Sequence, residues 1–178
     1  MPNPNSPYSI SKAYAIAPLL DQLEQQTRQW LQAKNIAQPI MVGIHTAGVW
    51  LAQALHARLG LSDALGELDV TFYRDDFSRI GLATQNKPSR LPVGIENRHV
   101  LLVDDVIYTG RTLRGAMNEL FDYGRPASIT LIVLVDRGGR ELPIEPQIAA
   151  LHEEIAADLL FEVSDPSLQS LRLVNRSQ

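Results

Sequence analysis

The chain has 178 residues, a length typical of one domain with one sizeable hydrophobic core. Hydrophobic residues make up 45% of it and charged residues 20%, which argues against wholesale disorder, and no apolar run reaches the roughly 18 residues that a membrane-spanning helix needs. The net charge of -4 argues against a protein whose whole surface binds nucleic acid, while the absence of cysteine excludes disulfides, thiolate metal sites and a cysteine nucleophile and fits a cytoplasmic protein.

The first third of the chain predicts a helix, a buried strand and a second helix. Apolar residues recur at helical spacing from Pro18 to about Lys34, and proline suits the first turn of a helix. Ile40–Ile44 is a short apolar run, long enough for a buried strand. It leads through the turn 45–48 into an amphipathic stretch, residues 49–59, which ends at a glycine.

The middle of the chain predicts a strand followed by a long connection. Residues 68–73 alternate apolar and polar side chains, as a half-buried strand does. The charged block 74–79 follows, and residues 80–98 carry two glycines and two prolines with little periodicity. We therefore expect a long, mobile connection, and loops of that length are often functional lids.

The next segment predicts two buried strands joined by a helix. Residues 100–103 are apolar and are followed by two aspartates; a helix is expected over Arg111–Tyr123, closed by a glycine. Residues 129–135 are apolar apart from one threonine, as in a strand buried on both faces. This alternation predicts an α/β fold with a parallel sheet and helices packed on it.

The last part of the chain leaves two interpretations open. Leu159–Val163 and residues 171–174 have the composition of two strands, but a helix over residues 151–160 is also compatible with the pattern.

The chemistry is concentrated in residues 100–112. Ligands of open parallel sheets bind beyond the carboxyl ends of the strands, so Asp104 and Asp105 are expected at the rim of a cleft, where they suit hydroxyl groups or Mg²⁺. Gly110 permits close backbone approach, and the following helix begins with unpartnered N–H groups that favour an anion. A sugar phosphate needs both features. Taken singly, Thr109 is equally compatible with a helix cap, and the aspartates with solvated charges.

In its order of an apolar strand, two acidic residues and a Thr-Gly-x-Thr loop, this segment resembles the phosphoribosyl pyrophosphate signature of type I phosphoribosyltransferases. The resemblance implies that the acidic pair binds the ribose hydroxyls, acts in catalysis and holds Mg²⁺ indirectly, while the loop binds the 5′-phosphate. It also implies a mostly parallel central sheet flanked by helices, with a flexible lid loop and a small hood. The implied substrate-binding residues are Asp104, Asp105, Val106, Ile107, Tyr108, Thr109, Gly110, Arg111 and Thr112.

Residues 71–78, 121–128 and 134–144 resemble the pyrimidine-operon regulators of the PyrR family, which are also uracil phosphoribosyltransferases. The resemblance is good over about residues 40–145 and looser at both ends. It implies one domain over residues 1–178, with a core of about 18–145 and a hood from the terminal segments. The implied ligands are phosphoribosyl pyrophosphate, uracil, UMP and UTP, and the implied partners are pyr leader mRNA and further copies of the chain.

The same resemblance assigns three more groups of site residues. The pyrophosphate loop is His45, Thr46, Ala47 and Gly48, with alanine where the family pattern has arginine. His45 is compatible both with a partial substitute for that arginine and with an ordinary loop histidine. The lid is Arg74, Asp75, Asp76 and Arg79, with Arg74 moving towards pyrophosphate as a catalytic residue. The base-binding residues are Val135, Asp136 and Arg137, and Gly139 stands where the family often has histidine.

Two other functions stay open at this point. One is a non-catalytic, nucleotide-sensing RNA-binding attenuation regulator, for which the sequence offers only the scattered basic candidates Arg137, Arg140, Arg172 and Arg176. The other is a phosphoribosyltransferase for another base, such as a purine.

Overall fold

The computed structural model describes residues 10–70 and 89–175. In this part of the chain no helix is both long and apolar enough to cross a membrane. The elements in chain order are β1 (Ile10–Ala15), α1 (Ile16–Ala33), β2 (Ile40–Ile44), α2 (Ala47–Leu59), β3 (Gly66–Leu68), β4 (His99–Ile107), α3 (Arg111–Tyr123), β5 (Ser128–Asp136), β6 (Ile148–His152), β7 (Leu159–Val163) and β8 (Ser170–Asn175).

The larger sheet has five parallel strands in the order β3-β2-β4-β5-β6. β2 is buried along its whole length, and β5 is buried over most of it. Strands covered on both faces need continuous apolar side chains, and these two runs have them. The predicted parallel sheet is therefore confirmed, with β2 at the predicted residues.

Helices cover both faces of this sheet. α1 and α2 pack on one face, where their apolar side chains meet those of β4 and β5, and the Trp30 indole N–H donates to the Thr130 hydroxyl at 3.1 Å. α3 packs on the other face. Burial of one leucine side chain stabilises the fold by about 1.5–3 kcal/mol, so these two layers carry much of the fold's stability. The buried leucines of the three helices are Leu20, Leu23, Leu51, Leu55, Leu113 and Leu120.

The smaller sheet joins the two ends of the described chain. It is antiparallel, in the order β1-β8-β7, and Ala15 of β1 pairs with Ser170 of β8. Phe161 and Leu171 of this sheet are buried in the same apolar cluster as α1 and α2. The small sheet therefore lies on that side of the molecule, beside the central sheet.

The structure corrects the sequence interpretation at several strands. The strand expected over residues 68–73 is wrong, because strand pairing ends at Leu68. The alternation of apolar and polar residues reflects which side chains are buried, and Val70 is buried without belonging to a strand. Residues 71–73 of that prediction lie outside the described part. The helix considered over residues 151–160 is also wrong: β6 ends at His152, where β5 supplies hydrogen bonds, and β7 follows. β1 and β6 were not predicted.

Candidate functional site

The order of the strands reverses between β2 and β4. From β2 the chain crosses through α2 to β3 on one side, whereas from β4 it crosses through α3 to β5 on the other side. β2 and β4 are parallel neighbours, so both helices begin at the same edge of the sheet. Such a reversal opens a crevice at the carboxyl ends of the strands, where ligands of open α/β sheets bind.

The acidic pair lies at this crevice, inside β4 rather than after it. β4 runs to Ile107, four residues beyond the predicted end, because β5 continues beside it and pairs Asp104 with Val133. Asp104 is only 5% exposed, and its Oδ1 accepts a hydrogen bond from the backbone N–H of Asp105 at 2.9 Å. Asp105 is half-buried. The strand thus holds the backbone of both carboxylates rigidly.

The loop predicted to bind pyrophosphate packs directly on the acidic pair. A Cβ atom added at Gly48 would lie 2.7 Å from the carbonyl oxygen of Val103 and 3.2 Å from Oδ1 of Asp104. Only glycine fits at this approach. The structure therefore brings together two segments that are more than 50 positions apart in the sequence.

The same loop opens α2 with groups suited to an anion. α2 begins at Ala47, two residues before the predicted start; its N-cap is Thr46, which makes no side-chain cap, and its first turn has no acidic residue. The peptide bond between His45 and Thr46 is cis. The N–H groups of a first helical turn lack intrahelical partners and, with the helix dipole, attract negative charge.

His45 contacts a carboxylate of β3. Its imidazole is 8% exposed, and Nε2 lies 2.9 Å from Oε2 of Glu67 on β3, while its backbone N–H donates to the carbonyl of Leu68 at 2.8 Å. The histidine is thus engaged by a carboxylate. Its predicted part in replacing the arginine missing at Ala47 stays a prediction.

The loop predicted to bind the 5′-phosphate forms the entry to α3. Gly110 is the N-cap residue, with φ 93°, a left-handed conformation that favours glycine. Thr109 is buried, and its hydroxyl accepts a hydrogen bond from the N–H of Arg111 at 3.2 Å. The first turn of α3, which holds Thr112, has no acidic residue. A second helix N-terminus therefore faces the crevice.

The predicted base-binding residues end β5 and continue into a tight turn. Val135 is buried in the strand, and Oδ1 of Asp136 accepts the N–H of Gly138 at 3.0 Å. Arg137 is only 5% exposed; its guanidinium lies 3.9 Å from the centroid of the Tyr108 ring and donates to the carbonyl of Leu159 at 3.3 Å. The side chain of Arg137 is therefore a packed, internal one.

The Tyr108 ring accounts for the glycine at 139. A Cβ atom on Gly139 would lie 2.4 Å from Cε2 of Tyr108, and the residue has φ +75°. The ring therefore occupies the space that a larger side chain would need. In this chain the Tyr108 ring therefore contacts both the backbone of Gly139 and the guanidinium of Arg137.

Two contacts near the site were missed by sequence reasoning. Arg140, considered only as an RNA contact, is bonded to Asp136 and to the backbone of the phosphate loop. In the small sheet, the Tyr14 hydroxyl donates to Glu153, which also pairs with Lys12 at 3.3 Å. Burial, together with the Glu153 hydrogen bond, raises the pKa of Tyr14. No sequence signal links these positions, since most of the contacts join residues far apart in the chain.

Some predicted residues are not placed at the site. Arg74, Asp75, Asp76 and Arg79 lie outside the described residues, as does Arg176. Among the described basic candidates for RNA, Arg137 and Arg140 are used in internal contacts, and Arg172 lies on β8 opposite Glu162. Over residues 10–70 and 89–175, no group of three or more His, Cys, Asp or Glu side chains is arranged to hold a metal ion.

Comparison with known proteins identifies the family. The phosphoribosyl transferase domain family matches residues 9–170. The chain is 49% identical over 157 residues to "Bifunctional protein PyrR" of Pseudomonas fluorescens, covering 88% of this chain and 94% of that protein. It is 52% identical over 130 residues to the protein of the same name from Nitrosococcus oceani, covering 72% and 73%.

Solved structures support the fold. A hypoxanthine phosphoribosyltransferase of Trypanosoma cruzi superposes with a TM-score of 0.67 at 16% identity, covering 94% of this chain and 97% of that chain. One from Staphylococcus aureus superposes with a TM-score of 0.62 at 19% identity, covering 82% and 78%. The sheet with its strand reversal is thus the type I phosphoribosyltransferase fold. Together with the two curated relatives, it shows that this chain belongs to the PyrR family of type I phosphoribosyltransferases.

Proposed function

We propose that this protein is a uracil phosphoribosyltransferase, forming UMP and pyrophosphate from uracil and phosphoribosyl pyrophosphate, and that it also regulates pyrimidine genes in response to nucleotides. The observation that carries the enzymatic part is the contact between the loop at Gly48 and the acidic pair at Asp104. This contact brings the N-terminus of α2 against the acidic pair, and β4 leads from that pair to the N-terminus of α3 a few residues later, which suits a sugar that carries phosphate groups at two ends.

Each end of the substrate then has its own set of groups. The hydroxyls of the ribose hydrogen-bond to Asp104 and Asp105, the 5′-phosphate lies in the loop from Thr109 to Thr112, and the pyrophosphate lies at the start of α2. As the bond between ribose C1 and pyrophosphate breaks, positive charge develops on the ring, as in glycoside hydrolysis. We assign to the half-buried Asp105 carboxylate the role of stabilising that charge or taking a proton.

The donor set suits Mg²⁺ held mainly through substrate. Mg²⁺ prefers oxygen ligands and is usually held by one or two carboxylates together with substrate phosphates and water. Asp104 and Asp105 supply carboxylates of that kind, and the described residues offer no dedicated cage. When bound, the ion would neutralise charge on the departing pyrophosphate.

The base site lies at the end of β5. Uracil presents alternating carbonyl acceptors and N–H donors, and we assign it to the turn from Val135 to Arg137. The side chains of Asp136 and Arg137 are used in internal contacts, and the N–H of Arg137 and the carbonyl of Asp136 are bonded to Ile107 and Glu153. The three-stranded sheet of β1, β8 and β7 serves as the hood over this site. Its tie to the loop after β6, through Tyr14 and Glu153, supports that role. The chain acts as one domain.

The deciding experiment measures pyrophosphate release from phosphoribosyl pyrophosphate with Mg²⁺ and uracil, with hypoxanthine and orotate as alternative bases and a chelator as the metal control. We expect release that depends on both uracil and Mg²⁺. Release with hypoxanthine or orotate instead would retain the mechanism and replace the substrate. No release with any base would contradict the enzymatic assignment and leave a pocket that only senses nucleotides.

The regulatory part follows from family membership, since the relatives are named as bifunctional proteins. We propose pyr leader mRNA as the partner, UMP and UTP as the signals, a homo-oligomer as the assembly and the cytoplasm as the location. A basic surface would make RNA binding strongly salt-dependent. Titration of labelled leader RNA at two salt concentrations tests this; no binding at low salt would remove RNA from the proposal, and size-exclusion chromatography with light scattering tests the oligomer.

A further inference from the structure

The loop after β4 and the turn after β5 are joined residue by residue. The N–H of Arg137 donates to the carbonyl of Ile107 at 3.2 Å, and the N–H groups of Glu141 and Leu142 both donate to the carbonyl of Thr109 at 3.0 Å. In the proposed function, the first segment binds the 5′-phosphate and the second binds the base. The two halves of a nucleotide site are therefore in direct contact.

Arg140 joins the two segments with one side chain. Its Nη1 donates to the carbonyl of Tyr108 at 3.1 Å, its Nη2 lies 2.8 Å from Oδ2 of Asp136, and its Nε donates to the carbonyl of Ile144 at 2.8 Å. The side chains of Arg140 and Asp136 are only 14% and 13% exposed, so solvent weakens the ion pair little.

The geometry requires arginine. The guanidinium is planar and presents its N–H groups in a fixed fork, so bonds in three directions define one position. The ammonium of lysine is a compact charge on a flexible side chain. It can bond to one of these acceptors without fixing the positions of the other two. No other side chain among the described residues contacts both the Tyr108 carbonyl and the Asp136 carboxylate.

From these contacts we infer that Arg140 is a positioning residue that holds the base-binding turn and the phosphate loop at a fixed separation, so that a complete nucleotide meets both at once. This inference rests on the proposed function, which assigns the two half-sites. Without Arg140, each half-site is still built by its own strand and turn. A ligand that occupies one half should bind almost normally, and a ligand that spans both should bind more weakly.

The test compares UMP, which spans both half-sites, with ribose 5-phosphate, which reaches the phosphate loop and the acidic pair but not the base-binding turn. Binding of each is measured by calorimetry for the wild type, Arg140→Lys and Arg140→Met. Because a ligand that spans both half-sites gains affinity from their preorganised separation, loosening that separation should weaken UMP binding by about tenfold. Binding of ribose 5-phosphate should change by less than about threefold. The UMP affinity of Arg140→Lys should be at least about tenfold lower than that of the wild type.

Arg58→Lys is the matched control. Arg58 also bonds carboxylates, Asp21 at 2.6 Å and Glu24 at 3.5 Å, and lies near the far end of α2, about 16 Å along the helix from its start. This variant should bind both ligands as the wild type does. If circular dichroism shows that Arg140→Met does not fold, the binding data of Arg140→Lys are sufficient for the test.

Three results would overturn the inference. UMP affinity of Arg140→Lys within twofold of wild type would show that the side chain does not set the separation. Equal weakening of UMP and ribose 5-phosphate would assign Arg140 to the phosphate loop alone. Failure of the wild type to bind UMP would overturn the proposed function and this inference together, whereas the first two results leave the proposed function intact.

Discussion

Replacing Gly48 with alanine tests the contact that assembles the site. The added Cβ would lie 2.7 Å from the carbonyl oxygen of Val103 and 3.0 Å from Cα of Asp104. Carbon and oxygen atoms in contact ordinarily stay at least about 3.3 Å apart, so the loop and the strand must separate by about 0.6 Å. Neither can yield easily, because the obstructing atoms belong to the backbone of a buried strand in the centre of the sheet.

The expected size of the effect follows from that displacement. Overpacking of a well-packed interior costs about 1–3 kcal/mol in the free energy of unfolding. For a chain of this length, each kcal/mol lowers Tm by about 2–4 °C, so we expect a fall of about 2–12 °C. The loop also moves away from the acidic pair. Because a 1 Å misplacement costs on the order of 100-fold in rate, kcat/KM for phosphoribosyl pyrophosphate should fall by roughly tenfold.

The assay combines thermal unfolding, followed by circular dichroism, with steady-state kinetics of UMP formation. Gly94→Ala is the matched control, because a Cβ at Gly94 has no atom within 4 Å. The control should unfold and turn over as the wild type does. A Gly48→Ala protein with unchanged Tm and kcat/KM would refute the proposed packing of the loop on β4. A lowered Tm with unchanged kcat/KM would show that the contact is structural and outside the pyrophosphate site.

Three further predictions address single groups. Asp105→Asn should lower kcat by about 10²–10⁴-fold if the carboxylate transfers a proton or stabilises ring charge, and wild-type turnover with uracil would remove it from catalysis. Thr112→Ala removes a charge-assisted hydrogen bond to the 5′-phosphate of about 1.5–3 kcal/mol, so KM for phosphoribosyl pyrophosphate should rise by roughly 10- to 150-fold with little change in kcat; an unchanged KM would contradict the phosphate assignment. The hydroxyl and N–H of Ser167 hydrogen-bond Asp165 and lower the pKa of its carboxyl. A depressed pKa in the folded state stabilises the fold above the usual value of about 3.9 and loses that contribution as pH falls through the folded value, so Ser167→Ala should be less stable than wild type at neutral pH but not at a pH low enough to protonate the carboxyl in the folded state as well. NMR titration of Asp165 should show its pKa rising towards the usual range in the variant, and an unchanged pKa would contradict this reading of the turn.

Several elements could be predicted because local patterns and tertiary burial agree there. Ile40–Ile44 and Arg111–Tyr123 have the predicted bounds, since a five-residue apolar run is too short for a buried helix and an amphipathic period over 13 residues is typical of one. β6 was missed because Ile148, Ala149 and Leu151 suit a helix equally well, and only the free edge of β5 decides between the two. β4 is longer than predicted for a similar reason. Two aspartates end the apolar run in the sequence, but β5 continues to pair with β4 beyond them.

The linear order of residues was sufficient for the α/β class, for the acidic pair and for the phosphate loop, because each of these depends on side chains within about a dozen positions. It was not sufficient for the contact of Gly48 with Asp104, for the placement of His45 on Glu67, or for the part of Arg140 in joining two segments. Such contacts depend on which strands become neighbours and at what register. That choice is made by the packing of the whole sheet, because no local propensity distinguishes an arginine directed at solvent from one directed at a carboxylate on a neighbouring turn.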